Sequence, residues 1–122
     1  MLHPQKPALL FAPMDGVTDA PMRALQGETG AFSFAVSEFL RVNQTPIPEK
    51  VFHRTVPELL TQGRTSSGLP VQVQILGGHA GRMAESARNA WLAGAQSVDI
   101  NFGCPSPTVN RNDGGSSLLR CP

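Results

Sequence analysis

Residues 98–115 read VDINFGCPSPTVNRNDGG, an alternating apolar run that stops at a thiol, Cys104, with Pro, Asn, Asp and Gly behind it. Four chemistries are open to a cysteine so placed: reagent, metal ligand, half of a disulfide, or small apolar filler. A thiol with an ordinary pKa near ~8.5 carries its proton at neutral pH, so proton donation needs placement more than activation. A strand end supplies placement. Two amides stand in comparable positions. Gln74 lies within VQVQIL, on the face opposite Val73 and Ile75, and a buried amide there requires a partner. That partner is either a ligand edge offering both donors and acceptors or the backbone. Gln72, on the same face, is the weaker candidate. Asn101 closes the run Ser97–Asn101, where Asn also serves to cap a turn. Asp99, mid-strand, reads as a structural partner for a backbone or arginine group. Gly114-Gly115 before Ser116 suits a phosphate cradle or a flexible loop, and with no Lys following, the loop is favoured.

Bulk properties narrow these choices. The chain has 122 residues, 40% apolar and 16% charged, which fits one soluble globular domain. A formal net charge of +1 gives no push toward nucleic acid or membrane. Arg23, Arg41, Lys50, Arg54 and Arg64 fall in or near loops and read more readily as solvating groups than as a binding patch. No run approaches the ~18 apolar residues of a membrane span. The opening MLHPQKPALLFAPM is too polar and proline-broken for a signal peptide, so a cytoplasmic setting is expected. There Cys104 and Cys121 stay reduced. His3, His53 and His79 show no ligand spacing with either cysteine, so no metal site is expected.

The elements that must position these groups follow from periodicity. Ala8–Ala12, Phe32–Val36, Val71–Leu76 and Ser97–Asn101 read as strands. Asp19 is placed to cap a helix from Ala20 to Gln26, with Pro21 in its first turn. Arg82–Ala93 carries Met83, Ala84, Ala87, Ala90 and Trp91 at helical spacing, read as core packing, with Gly94 placed to stop it. Leu40–Pro70 is a proline-rich excursion with one short helix near Val51–Leu60, and Ser116–Arg120 looks like a helix start. Apolar strands alternating with helices imply an α/β fold with a parallel sheet. No GxGxxG follows the first strand, and every strand ends in a polar or reactive group: Asp15, Glu38, Gln74, then Asn101 and Cys104. That favours a (β/α)8 barrel over an open doubly wound sheet. Such a barrel takes ~250 residues, and the chain supplies the N-terminal half, about four parallel strands with intervening helices.

APMDGVTD, VQVQILGG and VDINFGCPSPTVNRNDGG resemble the tRNA-dihydrouridine synthases, and SEFLRV and VFHRTVPELL look most like the bacterial C-type branch. The resemblance runs from about Leu9 to Leu119. It implies residues 1–122 as the N-terminal portion of an FMN-binding barrel domain, whose other half and a helical domain lie outside this chain. It further implies reduction of a D-loop uridine near position 16 of tRNA, with FMN as carrier and NADPH as electron source, in a protein expected to be a monomer when full length. By the same resemblance Cys104 is the proton donor to C5 of the uracil. Pro13, Met14 and Asp15 lie against the flavin, Gln74 bonds the isoalloxazine edge, Asn101 holds the uracil, and Arg41 faces the tRNA. Pro107 departs from the family, which often has Lys there, and Cys121-Pro122 replaces a common acidic residue and Pro. Two other readings stand beside this one. The chain alone is then a non-catalytic half-barrel that associates with itself or a partner, or it belongs to a flavin barrel acting on free pyrimidines, as in the dihydroorotate dehydrogenases.

Overall fold

A computed structural model describes residues 7–120; His3 and Cys121 lie outside the described residues. In chain order the elements are β1 (Leu10–Phe11), α1 (Ala20–Glu28), β2 (Phe34–Val36), β3 (Leu40–Arg41), α2 (Glu49–Thr55), β4 (Val71–Leu76), α3 (Ala80–Leu92), β5 (Val98–Ile100) and α4 (Pro107–Asn110). Single 3-10 turns follow at Pro57–Thr61 and Gly115–Arg120.

Every strand pairing is parallel. The even-numbered backbone groups of β4 (Gln72 O, Gln74 N and Leu76 O) point toward β2 and β3, while Val73 N and Ile75 O point toward β5. β2 and β3 therefore flank the same side of β4, as one strand broken at Ser37–Phe39, and β5 flanks the other. The spatial order is β1, β2/β3, β4, β5, consecutive along the chain, as the half-barrel reading requires. Leu40–Arg41 as a strand segment is a correction: the sequence placed it in the irregular excursion. Its two residues pair with Ile75 and Leu76, too short a stretch for alternation to show.

Alternation in β4 sorts its side chains between two faces. Val71, Val73 and Ile75 join Phe52, Val56, Leu59, Met83 and Ala90 in the apolar layer between sheet and helices. Each fully buried side chain of this size contributes about 1.5–3 kcal/mol. Gln72, Gln74 and Leu76 occupy the other face, toward the barrel lumen.

The helix expectations hold with three adjustments. The Asp19 carboxylate accepts from Met22 N at 3.0 Å, so the α1 cap forms as read, and the helix extends to Glu28. The single helix expected at Val51–Leu60 divides instead, because Pro57 forces Val56 out of helical geometry, to φ −127°. α3 starts two residues early, capped by the His79 ring accepting from Arg82 N at 3.3 Å. Trp91 is corrected as well: it is 67% exposed on α3 and no part of the core, which takes Met83, Ser86 and Ala90. Among the described residues no helix is long and apolar enough to cross a membrane.

Candidate functional site

The strand ends converge at one rim of the sheet, and side-chain bonds tie their loops together. After β1, Met14 N donates to Thr18 Oγ1 at 2.8 Å, and Val17 N and Thr18 N both return to Met14 O at 3.0 Å. This tight turn holds Pro13 half-buried and leaves Met14 61% exposed beside an exposed Asp15. Two contacts fix the turn from outside. Gly16 N donates to the Glu38 carboxylate at the break between β2 and β3. Arg23 Nη1 donates to Thr18 O at 2.8 Å, while Arg23 Nε and Nη2 make a bidentate pair with Glu58 at 2.8 and 2.9 Å. Arg23 is fully buried and so is not one of the solvating surface cations that its loop-side place suggests.

The break at Ser37–Phe39 leaves Gln74 N without a strand carbonyl to face. Ser37 Oγ accepts from it at 3.1 Å and donates to Glu38 O at 2.9 Å, so the missing rung is replaced by a hydroxyl.

Gln74 and Asp99 are register partners on adjacent parallel strands, and their side chains meet on the lumen face. Gln74 Nε2 donates to Asp99 Oδ2 at 2.6 Å, and Gln74 Oε1 accepts from Asn101 Nδ2 at 3.0 Å. Asn101 Oδ1 then accepts two backbone N–H groups, from Gly103 at 3.0 Å and Cys104 at 2.9 Å. A continuous relay thus runs from the Asp99 carboxylate to the backbone of the thiol residue. The amide orientations follow from it: a carboxylate only accepts, so Gln74 must present Nε2 to Asp99 and Oε1 to Asn101. The partner of Asp99 is thus the Gln74 amide and not the backbone or arginine group that its mid-strand place suggests. The register of two parallel strands is the signal that would have found it.

Cys104 is half-buried and its thiol is free. Its carbonyl accepts from Ser116 N at 3.0 Å, closing residues 104–116 into a loop that carries α4. Gly115, at φ +59°, sits so close that a Cβ there would lie 2.6 Å from Cys104 O. The Gly114-Gly115 pair therefore serves loop closure. Among the described residues no group of three or more His, Cys, Asp or Glu side chains could hold a metal ion.

The structure brings Gln74, Asn101 and Cys104 into one bonded series, and joins the Pro13–Asp15 turn to the break between β2 and β3 through Gly16 and Glu38. Arg41 lies apart from them, in a cleft beside α3 and α4.

Comparison with known proteins agrees with the motifs. The sequence model of the dihydrouridine synthase (Dus) family matches residues 10–122. A tRNA-dihydrouridine(16) synthase of Pasteurella multocida (strain Pm70) is 47% identical over 114 residues, 93% of this chain and 36% of that protein. Its namesake from Salmonella typhimurium (strain LT2) is 46% identical over 93% of this chain and 36% of its own length. That of Neisseria meningitidis serogroup B is 42% identical over 97% of this chain and 35% of its own length. The chain spans about a third of these relatives, and it belongs to the dihydrouridine synthase family.

Proposed function

We propose that this chain supplies the first strands and the proton donor of an enzyme that reduces a D-loop uridine of tRNA to 5,6-dihydrouridine, with FMN as cofactor and NADPH as reductant. The observation that carries the reading is the fixed position of Cys104 at the end of β5. Asn101 holds its backbone N–H, and the Gln74 amide holds Asn101.

The lumen face fits a flat heteroaromatic ring with a polar edge. Met14, in the turn after β1, is an exposed large apolar side chain that would offer surface to such a ring. Gln74 keeps one N–H and one lone pair beyond its bonds to Asp99 and Asn101, enough for the donor and acceptor of a ring edge. Pro13, Met14, Asp15 and Gln74 are the residues that would hold FMN. When bound, FMN supplies the hydride for C6 of the uracil, having taken it from NADPH.

The rest falls to the chain's own groups. Asn101 has one Nδ2 hydrogen left for a uracil carbonyl, so it positions the ring while its Oδ1 positions the thiol. Cys104 Sγ delivers its proton to C5 as the C5–C6 double bond is reduced by two electrons, and the resulting thiolate regains a proton from solvent.

The test is a chimera in which residues 10–120 replace the matching third of the Pasteurella protein. The expected chimera is yellow, oxidises NADPH and produces dihydrouridine in unmodified tRNA. A folded, flavin-loaded chimera that leaves tRNA unmodified while its parent modifies it overturns the reading.

A further inference from the structure

In the series Asp99, Gln74, Asn101 and Cys104, the first member touches neither the thiol nor the backbone turn that holds it. Barrel lumens are ordinarily filled by branched apolar side chains, and a carboxylate on that face costs stability unless it is bonded. Here Asp99 Oδ2 accepts from Gln74 Nε2 at 2.6 Å, a short charge-assisted contact. The Gln74 backbone is fixed separately, its N–H donating to Ser37 Oγ at 3.1 Å, so Asp99 acts on the side chain alone. Either amide could be turned end for end with little change of shape, so bonding partners decide its orientation. An acceptor-only carboxylate at one end and two backbone N–H groups at the other impose the same choice on both amides.

We infer that Asp99 is a positioning residue for the reaction, acting on Cys104 through Gln74 and Asn101. The inference rests on the function proposed above and extends it by one residue. The carboxylate holds Gln74 Nε2, which keeps Gln74 Oε1 on Asn101 Nδ2 and Asn101 Oδ1 on the N–H groups of Gly103 and Cys104. Without that acceptor the Gln74 amide rotates about its last side-chain bond, and Asn101 loses the contact that holds its own amide plane. The thiol residue then rests on one firm tether, Ser116 N donating to Cys104 O at 3.0 Å. Gln74 and Asp99 are register partners, so their bond spans a single rung and neither side chain has to reach. Because the series consists of the chain's own groups, its hold on the thiol does not wait for a cofactor.

The experiment follows alkylation of Cys104 by iodoacetamide, read by mass from the tryptic peptide 89–111, which separates it from Cys121. It is run on the flavin-free chimera and on the 122-residue chain, with circular dichroism as the fold control. Asp99→Leu is expected to speed alkylation several-fold in both. Asp99→Ala removes the acceptor without added bulk and carries the same expectation, so the test stands on whichever variant keeps the native spectrum. Asp99→Asn still offers an oxygen to Gln74 Nε2 and restores most of the native rate, a rescue that loss of stability alone would not show. In an Asn101→Ala background Asp99→Leu adds nothing further, because the link between them is already broken. In the flavin-loaded chimera Asp99→Leu lowers kcat for uridine reduction by roughly 10–10²-fold and leaves KM for tRNA nearly unchanged. The inference is overturned by native alkylation rates in the Leu and Ala variants, by an Asn variant as reactive as the Leu one, or by a further rise in the Asn101→Ala background. Dihydrouridine formation separates the two readings: product with unchanged alkylation removes the role of Asp99 alone, and altered alkylation in a chimera that makes no product removes the reductase reading alone.

Discussion

Asn101 joins a side chain to a backbone turn, and substitutions there separate the two jobs. Asn101→Ala strips acceptors from Gly103 N and Cys104 N and a donor from Gln74, and is expected to lower stability by about 1–3 kcal/mol in urea unfolding. Asn101→Asp keeps the backbone acceptors but sets a carboxylate against Gln74 Oε1. It is expected to retain the turn and lose the Gln74 contact, which a weaker FMN affinity of the chimera would report. Cys104→Ala is the opposite case. The hydrogen bonds at Cys104 run through its N–H and carbonyl, so the change costs under about 1 kcal/mol of stability. Dihydrouridine formation by the chimera should still fall by about 10²–10⁴-fold. At this scale the sequence singled out Gln74, Asn101 and Cys104 one by one, and the structure bonds them in one series. The role of Asp99 was hidden because it depends on the register between β4 and β5, which neither strand encodes alone.

Between elements, the Arg23–Glu58 pair links α1 to the turn at Pro57–Thr61 and holds the loop after β1 through Thr18 O. Both side chains are buried, so Arg23→Met leaves an uncompensated carboxylate and is expected to cost about 3–5 kcal/mol. The double change Arg23→Met with Glu58→Leu should recover much of that, read as a return of the urea midpoint. Nothing local announces such a pair, since its members stand 35 residues apart and each alone reads as a surface charge. Trp91 shows the converse. Its helical spacing matched the core stripe, but small residues at Ser86 and Ala90 let α3 approach the sheet and put the indole outside. Strong patterns such as β4 and α3 were legible because many residues vote for each. β3 was not, having only two residues and a neighbour's strand to define it.

Across the whole molecule, β1 and β5 are the outer strands of the sheet, each with one edge that has no strand partner among the described residues. Leu10 and Ile100 on those strands are 43% and 44% exposed, with Leu9 exposed just before β1 and Phe102 just beyond β5. Free strand edges with apolar side chains invite pairing with another chain. The isolated chain is therefore expected to elute larger than a monomer as its concentration rises. Leu10→Lys with Ile100→Lys should shift it toward monomer with an unchanged circular dichroism spectrum, and a chain that is monomeric at all concentrations would count against this. The half-barrel was legible from the order of strands and helices, because parallel pairing of consecutive strands leaves few other arrangements. The loop between Cys104 and Ser116 carries a further consequence. Both its feet meet at the Cys104 carbonyl, and Pro107 stands in the first turn of α4, where a missing N–H is harmless. Residues along its span can drift while the thiol stays where it is, so, on the function proposed above, a lineage could retune the loop without moving Cys104.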